Sequence, residues 1–519
     1  MTTTRTSAIG ATLLALAAAG LGLGAPPAPR AEPTGVAGVA SCVACHNATA
    51  SDAASHPFAT RYRSHEFIRL SEGRTWPCED PHSAAYRGMT NDLGRKMLAR
   101  LPQGKDAGWV AGHCATCHAV DTLAGDDFAP PVVDPAGRFD TADGVSCTAC
   151  HGTAAAWQTR HYEERTDAAG EKSLPWRKLD PAEKAKAGLR DLRDPAVKAK
   201  LCATCHVGSD ELGRVVTHDM YAAGHPPLPP FELATYLEGE PRHWSPTAKL
   251  PHFDKVAENP GELWRLYHAQ PAGVEVPAGR ELAAGAVAAL RAEATLLEAG
   301  AESSRDGLDF ARFDCFACHH DLKTPSDRQA RAPKHGAPGR PTLRPSLAAL
   351  AEVVAAHAAG SPDAKLKASA ADFAAKWDAL SAAAVERPFG NPDAVRSAAA
   401  GLVRWCDAFL DVQSRHPVPL YPEAQVAALR QRLGDAALGE ANRDPEAALA
   451  LAWGYVALSP GLPDDRLAAL GKVLPTTVRP RPTATAREPA PLDWQSRQLR
   501  LNGYRVEDFA KPFRTLTGR

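Results

Sequence analysis

A mainly α-helical fold is what this sequence predicts, and three observations predict it. Apolar residues recur at three- and four-residue steps, as in Val287, Leu290, Ala294 and Leu297. From Ser346 to Leu474 the chain is Ala-rich, and Asn391-Pro392 and Asp444-Pro445 supply helix starts with a first-turn proline. Aromatic residues make up only 6% of the 519, so the interior must be filled by aliphatic helices or by a bound group. The length is too great for one ordinary core and points to two or three domains.

Residues 1–31 read as an export signal peptide. Arg5 precedes an uncharged run from Ala8 to Gly24, and small residues follow with Ala25 or Ala31 as cleavage points. An uncleaved membrane anchor is the alternative, but the run is rich in Ala and Gly and only weakly hydrophobic for a permanent span. The mature protein is therefore expected to be periplasmic or otherwise extracytoplasmic, and not embedded in a membrane.

Residues 35–324 hold sixteen of the nineteen histidines and almost all of the cysteines. Short helices and long loops are expected there, with few strands; the stretch from Asp121 to Asp143 lacks any periodicity. Residues 325–345, rich in Pro, Arg and Gly, read as a linker. Residues 346–474 read as an antiparallel helical bundle. Leu366, Phe373, Trp377 and Leu380 line one helix of it, and Val395, Leu402, Cys406 and Phe409 line the next. The tail, residues 475–519, is expected to be irregular.

The cysteines carry the chemistry. Ten of twelve fall into one pattern, Cys-x-x-Cys-His, repeated five times. The copies are Cys42-Val43-Ala44-Cys45-His46, Cys114-Ala115-Thr116-Cys117-His118, Cys147-Thr148-Ala149-Cys150-His151, Cys202-Ala203-Thr204-Cys205-His206 and Cys315-Phe316-Ala317-Cys318-His319. Two thiols at this spacing reach the two vinyl groups of one haem and form thioethers, and the adjacent His binds iron as the proximal ligand. A lone Cys-x-x-Cys could instead be a thiol–disulfide motif or half of a zinc site. Neither alternative accounts for His at the next position in all five copies. The expected cofactor is thus haem c, five per chain and covalent. Cys78 and Cys406 are left over; Cys406 reads as a buried structural thiol, and a Cys78–Cys406 disulfide stays open.

What faces each iron opposite the motif His decides the chemistry. A second His makes a six-coordinate, electron-transferring haem, whereas an open position makes a site where a substrate can bind. His65, His82, His161, His218 and His225 lead the candidates for metal ligation. His320, His243 and His113 are further contenders, and Met89, Met97 and Met220 are thioether alternatives. His357 reads as structural or solvated.

Several phrases resemble the cytochrome c-554 family of multihaem proteins. They are Asp80-Pro81-His82-Ser83-Ala84-Ala85-Tyr86, Asp143-Gly144-Val145-Ser146-Cys147 through Gly152, His218-Asp219-Met220-Tyr221-Ala222-Ala223-Gly224-His225-Pro226, and Asp314-Cys315 through Asp321-Leu322. The resemblance spans residues 41–322 and leaves the helical region uncovered. It implies a mostly α-helical fold around stacked haem pairs with largely bis-histidine iron, and it supports His82, His161, His218 and His225 as distal ligands. Pentahaem nitrite reductases are similar in haem number, but they carry a Lys in place of one motif His, and no Cys-x-x-Cys-Lys occurs here.

The expected function is periplasmic electron transfer through five haems, between a donor and an acceptor protein that the sequence does not name. The alternative is an oxidoreductase acting on a small nitrogen or sulfur compound at one open haem. The formal net charge of −1 gives no reason to expect nucleic acid as a partner. Haem propionates would make the loaded protein more acidic and favour basic redox partners. The helical region could serve docking within an oligomer or a larger complex.

Overall fold

The structure is a computed structural model that describes residues 39–43, 45–46, 72–120, 141–152, 157–163, 165–166, 168–170, 172–173, 175–241, 275–303, 307–320, 340–415, 419–474 and 503–518. The signal-peptide segment, His65, His243 and most of the stretch from 121 to 143 lie outside the described residues. The described chain is mainly helical, and its paired strands, Arg165–Thr166 and Lys172–Ser173, form one short antiparallel hairpin. Among the described residues no helix is long and apolar enough to cross a membrane.

The centre of the molecule is the 27-residue helix Pro277–Ser303. Its sequence is rich in Ala, Leu and Glu, the strongest helix formers, with no β-branched run to oppose them. Leu282, Val287, Leu290, Ala294 and Leu297 are buried, and so are Ala283, Ala284 and Ala288 on other sides. A helix buried nearly all round must have partners on every side. They are Pro195–His206, Leu233–Gly239, Ser346–Ala359 and Pro392–Arg415. Gly285 allows the Leu233 contact, since a Cβ there would lie 2.6 Å from the Leu233 Cβ.

Two polar residues of this helix are also buried. Arg280 pairs with Glu275 at 2.9 Å, and Glu293 pairs with Arg312 at 3.0 Å. Burial of such charges is tolerated only because each is paired. One continuous apolar core joins this helix to Ala196, Phe231, the helices after Ser346 and Phe513 near the end of the chain.

The expected helix starts are present in the bundle. The Asp444 carboxylate accepts from the Ala447 N–H at 2.7 Å and caps Pro445–Ala457. Val395, Leu402, Cys406 and Phe409 lie fully buried along Pro392–Arg415. The face drawn through Leu366, Phe373, Trp377 and Leu380 is instead split between two helices, Ala364–Ser369 and Phe373–Val385. Asp372 separates them with φ of 62°, a left-handed conformation that Asp tolerates better than most residues.

Two other expectations differ from the structure. Within the tail, Val506–Thr517 is a helix despite Pro512. Phe509, Phe513 and Leu516 share one face and are buried, and that burial outweighs the hydrogen bond that proline removes. The Cys78–Cys406 disulfide is not formed: both thiols are free, with Cys78 exposed and Cys406 buried, where desolvation pushes its thiol pKa up.

Candidate functional site

Several of the motifs end helices or constitute them. Pro195–His206 starts on an Asp194 cap and finishes at the fourth motif. Cys147–His151 is itself one short helix. The second motif runs from a π-helical turn, Ala111–Ala115, into Thr116–His118. The fifth occupies a 3-10 turn capped by Asp314, whose carboxylate accepts from the Phe316 N–H at 2.9 Å. Among the motif cysteines Cys114 is buried, while Cys45 and Cys318 are exposed.

Four motif histidines are each brought face to face with a predicted distal histidine. His46 meets His161 with ring centroids 6.3 Å apart, and His82 meets His206 at 6.1 Å. His118 meets His225 at 6.4 Å, and His218 meets His319 at 6.4 Å. These separations are too long for contact stacking. Two imidazoles on opposite sides of one metal stand about 6.3 Å apart, given a metal–nitrogen bond of roughly 2.0 Å on each side. All four pairs therefore match the span of an iron with two axial imidazoles. The pairs form two geometric classes: the rings are 23° and 28° apart in His46–His161 and His218–His319, but 76° and 81° apart in the other two.

In five of these eight rings Nδ1 is engaged by the protein. Nδ1 of His118 lies 2.8 Å from the Ala85 carbonyl, and Nδ1 of His225 lies 2.8 Å from the Pro226 carbonyl. Nδ1 of His161 bonds the Gln158 carbonyl. His82 and His46 use carboxylates, Asp80 at 2.9 Å and Glu72 at 3.0 Å. An outer partner of this kind fixes the tautomer and leaves Nε2 as the ligating nitrogen, as is usual for metal-binding histidines.

Electrostatics within the pairs follow from burial and these partners. Burial opposes protonation of His82, but the Asp80 carboxylate overrides it and raises the ring to about 9. Desolvation lowers His206 to about 3, helped by the charge on His82. Desolvation likewise lowers His225 to about 4. Asp80, His82 and Glu240 also place their ligand atoms within 4.8 Å of one another, so the carboxylates gather on the outer side of the His82 ring.

The thiols of different motifs approach in pairs. Cys117 hydrogen-bonds Cys205, and Cys147 hydrogen-bonds Cys42, with no disulfide between them. The second motif is thus joined to the fourth, and the first to the third. Two arginines brace the motif backbones. Arg190 donates to the carbonyls of Ala149 and Cys150 at 2.9 and 2.7 Å, and Arg214 donates to the Thr116 carbonyl at 2.7 Å. Gly144 lets the third motif close on the His82 segment. At φ of 67° it sits where a Cβ would lie 2.5 Å from the His82 carbonyl, to which the Val145 N–H donates at 3.0 Å.

One segment serves three motifs. His218 and His225 stand at the start and just beyond the end of the helix His218–Ala223, and Phe231 and Tyr236 pack on His206 at 6.1 and 4.7 Å. Beside them a small cleft is walled by His206, Tyr221, Phe231, Arg312 and Arg344. Arg344 pairs with Glu446 at 2.8 Å.

The other sequence candidates fall elsewhere. His113 is exposed and stacks on Trp109 at 4.7 Å. Met220 is buried with Leu101 and Ala223, with Met97 against them, which makes both methionines packing residues. His357 is buried in the helical bundle, stacked 6.2 Å from Tyr421. Arg190, Arg214, Phe231 and Arg344 are site residues that sequence reasoning missed, because an Arg or Phe at no fixed spacing from a motif carries no signal in a single chain. Comparison with models of known protein families, with curated proteins and with solved structures gives no match to this chain.

Proposed function

We propose that the chain is an exported multihaem c-type cytochrome that binds five haems c covalently and carries electrons between redox partner proteins. The observation that carries this reading is the set of four His–His separations, 6.1 to 6.4 Å, each joining a motif His to a distant one. Such agreement in four independent pairs has no explanation in packing alone. Haem, when bound, supplies one-electron iron chemistry at a potential set by its ligands, burial and hydrogen bonds.

The chain's own residues then have assigned tasks. Cys42, Cys45, Cys114, Cys117, Cys147, Cys150, Cys202, Cys205, Cys315 and Cys318 form the thioethers. His46, His118, His151, His206 and His319 are proximal ligands. His161, His225, His82 and His218 are distal ligands to the first, second, fourth and fifth motifs. His65, the leading sequence candidate still unassigned, is given to His151, with His243 and His320 as the alternatives. Bis-histidine ligation at the four paired motifs supports a carrier over a catalyst. The likeness of the flanking phrases to the cytochrome c-554 family points the same way.

The test is a pyridine haemochrome assay with an EPR spectrum of the oxidised, purified protein. Five haems per chain, all low-spin, are expected. Absence of covalent haem would refute the reading. A high-spin signal that binds cyanide would move it to the oxidoreductase alternative.

A further inference from the structure

Arg214 is 1% exposed, yet among the described residues it makes no ion pair. It follows the fourth motif on a tight turn, where Arg214 and Ser209 exchange backbone hydrogen bonds of 2.8 and 2.9 Å. From there its guanidinium reaches into the contact between two motifs. Nε donates to the Thr116 carbonyl at 2.7 Å, in the second motif, and Nη1 donates to Thr204 Oγ1 at 2.6 Å, in the fourth. Nη2 is buried with no partner, and so is the neighbouring Thr116 Oγ1. A cation buried without a counter-charge is costly and calls for an explanation.

Cys117 and Cys205 are the ionisable side chains of the same two motifs that lie beside it. Under the five-haem reading both become thioethers, whose sulfur does not ionise, so neither supplies a counter-charge. Propionates sit on the porphyrin edge opposite the thioethers, so those of the same two haems do not supply one.

We infer that Arg214 is a resident, uncompensated cation that raises the reduction potentials of the haems on the second and fourth motifs and makes them the high-potential pair of the protein. This rests on the five-haem reading. Ferric haem carries one more positive charge than ferrous haem, so a fixed cation in a dry setting favours the reduced form. Burial acts in the same direction: Cys114 is buried at the second motif, whereas Cys45 and Cys318 at the first and fifth are exposed.

The ligand planes make the pair separately visible. Its histidine rings are crossed at 76° and 81°, against 23° and 28° for the first and fifth motifs. Crossed imidazole planes give low-spin ferric haem a highly anisotropic EPR signal, and near-parallel planes give a rhombic one. A potentiometric titration followed by EPR therefore reads the pair apart from the first and fifth haems.

Holoprotein is compared with Arg214→Gln, Arg214→Met and Arg214→Lys, with haem content measured alongside. In the unmodified protein the highly anisotropic signals are expected to disappear before the rhombic ones on reduction. In the Gln and Met variants they should shift to lower potential by at least a tenfold change in the reduced-to-oxidised ratio, which is 59 mV for one electron. The rhombic signals should stay in place, and Arg214→Lys should lie near the unmodified protein. Unmoved potentials in the neutral variants, an equal shift of every haem, or loss of holoprotein in both neutral variants would overturn the inference. So would rhombic signals that reduce first in the unmodified protein. Absence of haem from the unmodified protein would refute the five-haem reading itself.

Discussion

At the residue scale, His46, His82, His118, His161 and His225 are each held by a bond on Nδ1, and under the proposed function that bond is where the site can be weakened selectively. Replacing His82 by Ala should leave all five thioether attachments intact and convert one haem to high spin, read by haemochrome and EPR. An unchanged low-spin spectrum would remove His82 from the ligand set. Asp80→Asn should be milder: the ring stays but loses the carboxylate that favours the ferric state, so a small rise in potential is expected without loss of low-spin character.

His357 gives a stability prediction away from the site. Desolvation first, and the Arg432 charge second, hold its pKa at about 4, below the ordinary 6.5. The folded protein then binds the proton less readily than the unfolded chain. The neutral ring's contribution is fully present above pH 6.5 and is lost as pH falls from 6.5 to about 4. The loss approaches roughly 3 kcal/mol at the lower end. Denaturant unfolding between pH 7 and 4.5 should show a smaller acid loss in His357→Gln than in the unmodified protein; equal losses would exclude His357 as a source. The proposed attachment residues are read from spacing alone, because the covalent chemistry they would serve fixes it. Which distal histidine serves which motif is not legible there, since His225 reaches His118 only through the fold.

At the element scale, the helix Pro277–Ser303 couples the two parts of the chain through Glu293 and Arg312. Arg312 also donates to the Val216 carbonyl at 2.9 Å, just before the segment that carries His218 and His225. Arg312→Ala strands Glu293 as an unpaired buried charge and should cost about 3–5 kcal/mol. A lower thermal midpoint, with loss of low-spin signal from the second and fifth motifs ahead of the others, is the expected signature. Leu290→Ala on the same helix should cost about 2–5 kcal/mol with no spectral change.

The helix itself was legible from the recurrence of Val287, Leu290, Ala294 and Leu297. Its burial on further sides was not, because Ala at the remaining positions is equally at home in a core or in solvent. The tail helix was obscured by Pro512, although Phe509, Phe513 and Leu516 already held the spacing of one face.

At the scale of the whole molecule, apolar packing is uneven. One large cluster gathers the residues from Ala196 onward, whereas Val120, Ala149, Leu201 and Leu212 make a small cluster and Leu101, Met220 and Ala223 another. Among the described residues, the region before residue 195 has little side-chain core of its own, and under the proposed function it depends on porphyrin for its interior. Protein made without haem attachment should keep helical circular dichroism from the later helices. Limited proteolysis should then cut before residue 195 and spare the remainder. Equal resistance of haem-free and haem-loaded protein would contradict this division.

The pairing of early motifs with late histidines has a consequence for how the protein is made. Under the proposed function His118 would be exported well before His225, and His46 well before His161, so the first haems attached would wait for a ligand that has not yet crossed the membrane. During that interval their irons would lack one histidine and be open to oxygen or to the wrong histidine. The segment from His218 to Tyr236 touches three motifs, so its arrival should close several of them nearly together. Maturation would then finish in a late, cooperative step set by translocation, and a chain cut short before His218 would be left half-ligated and reactive.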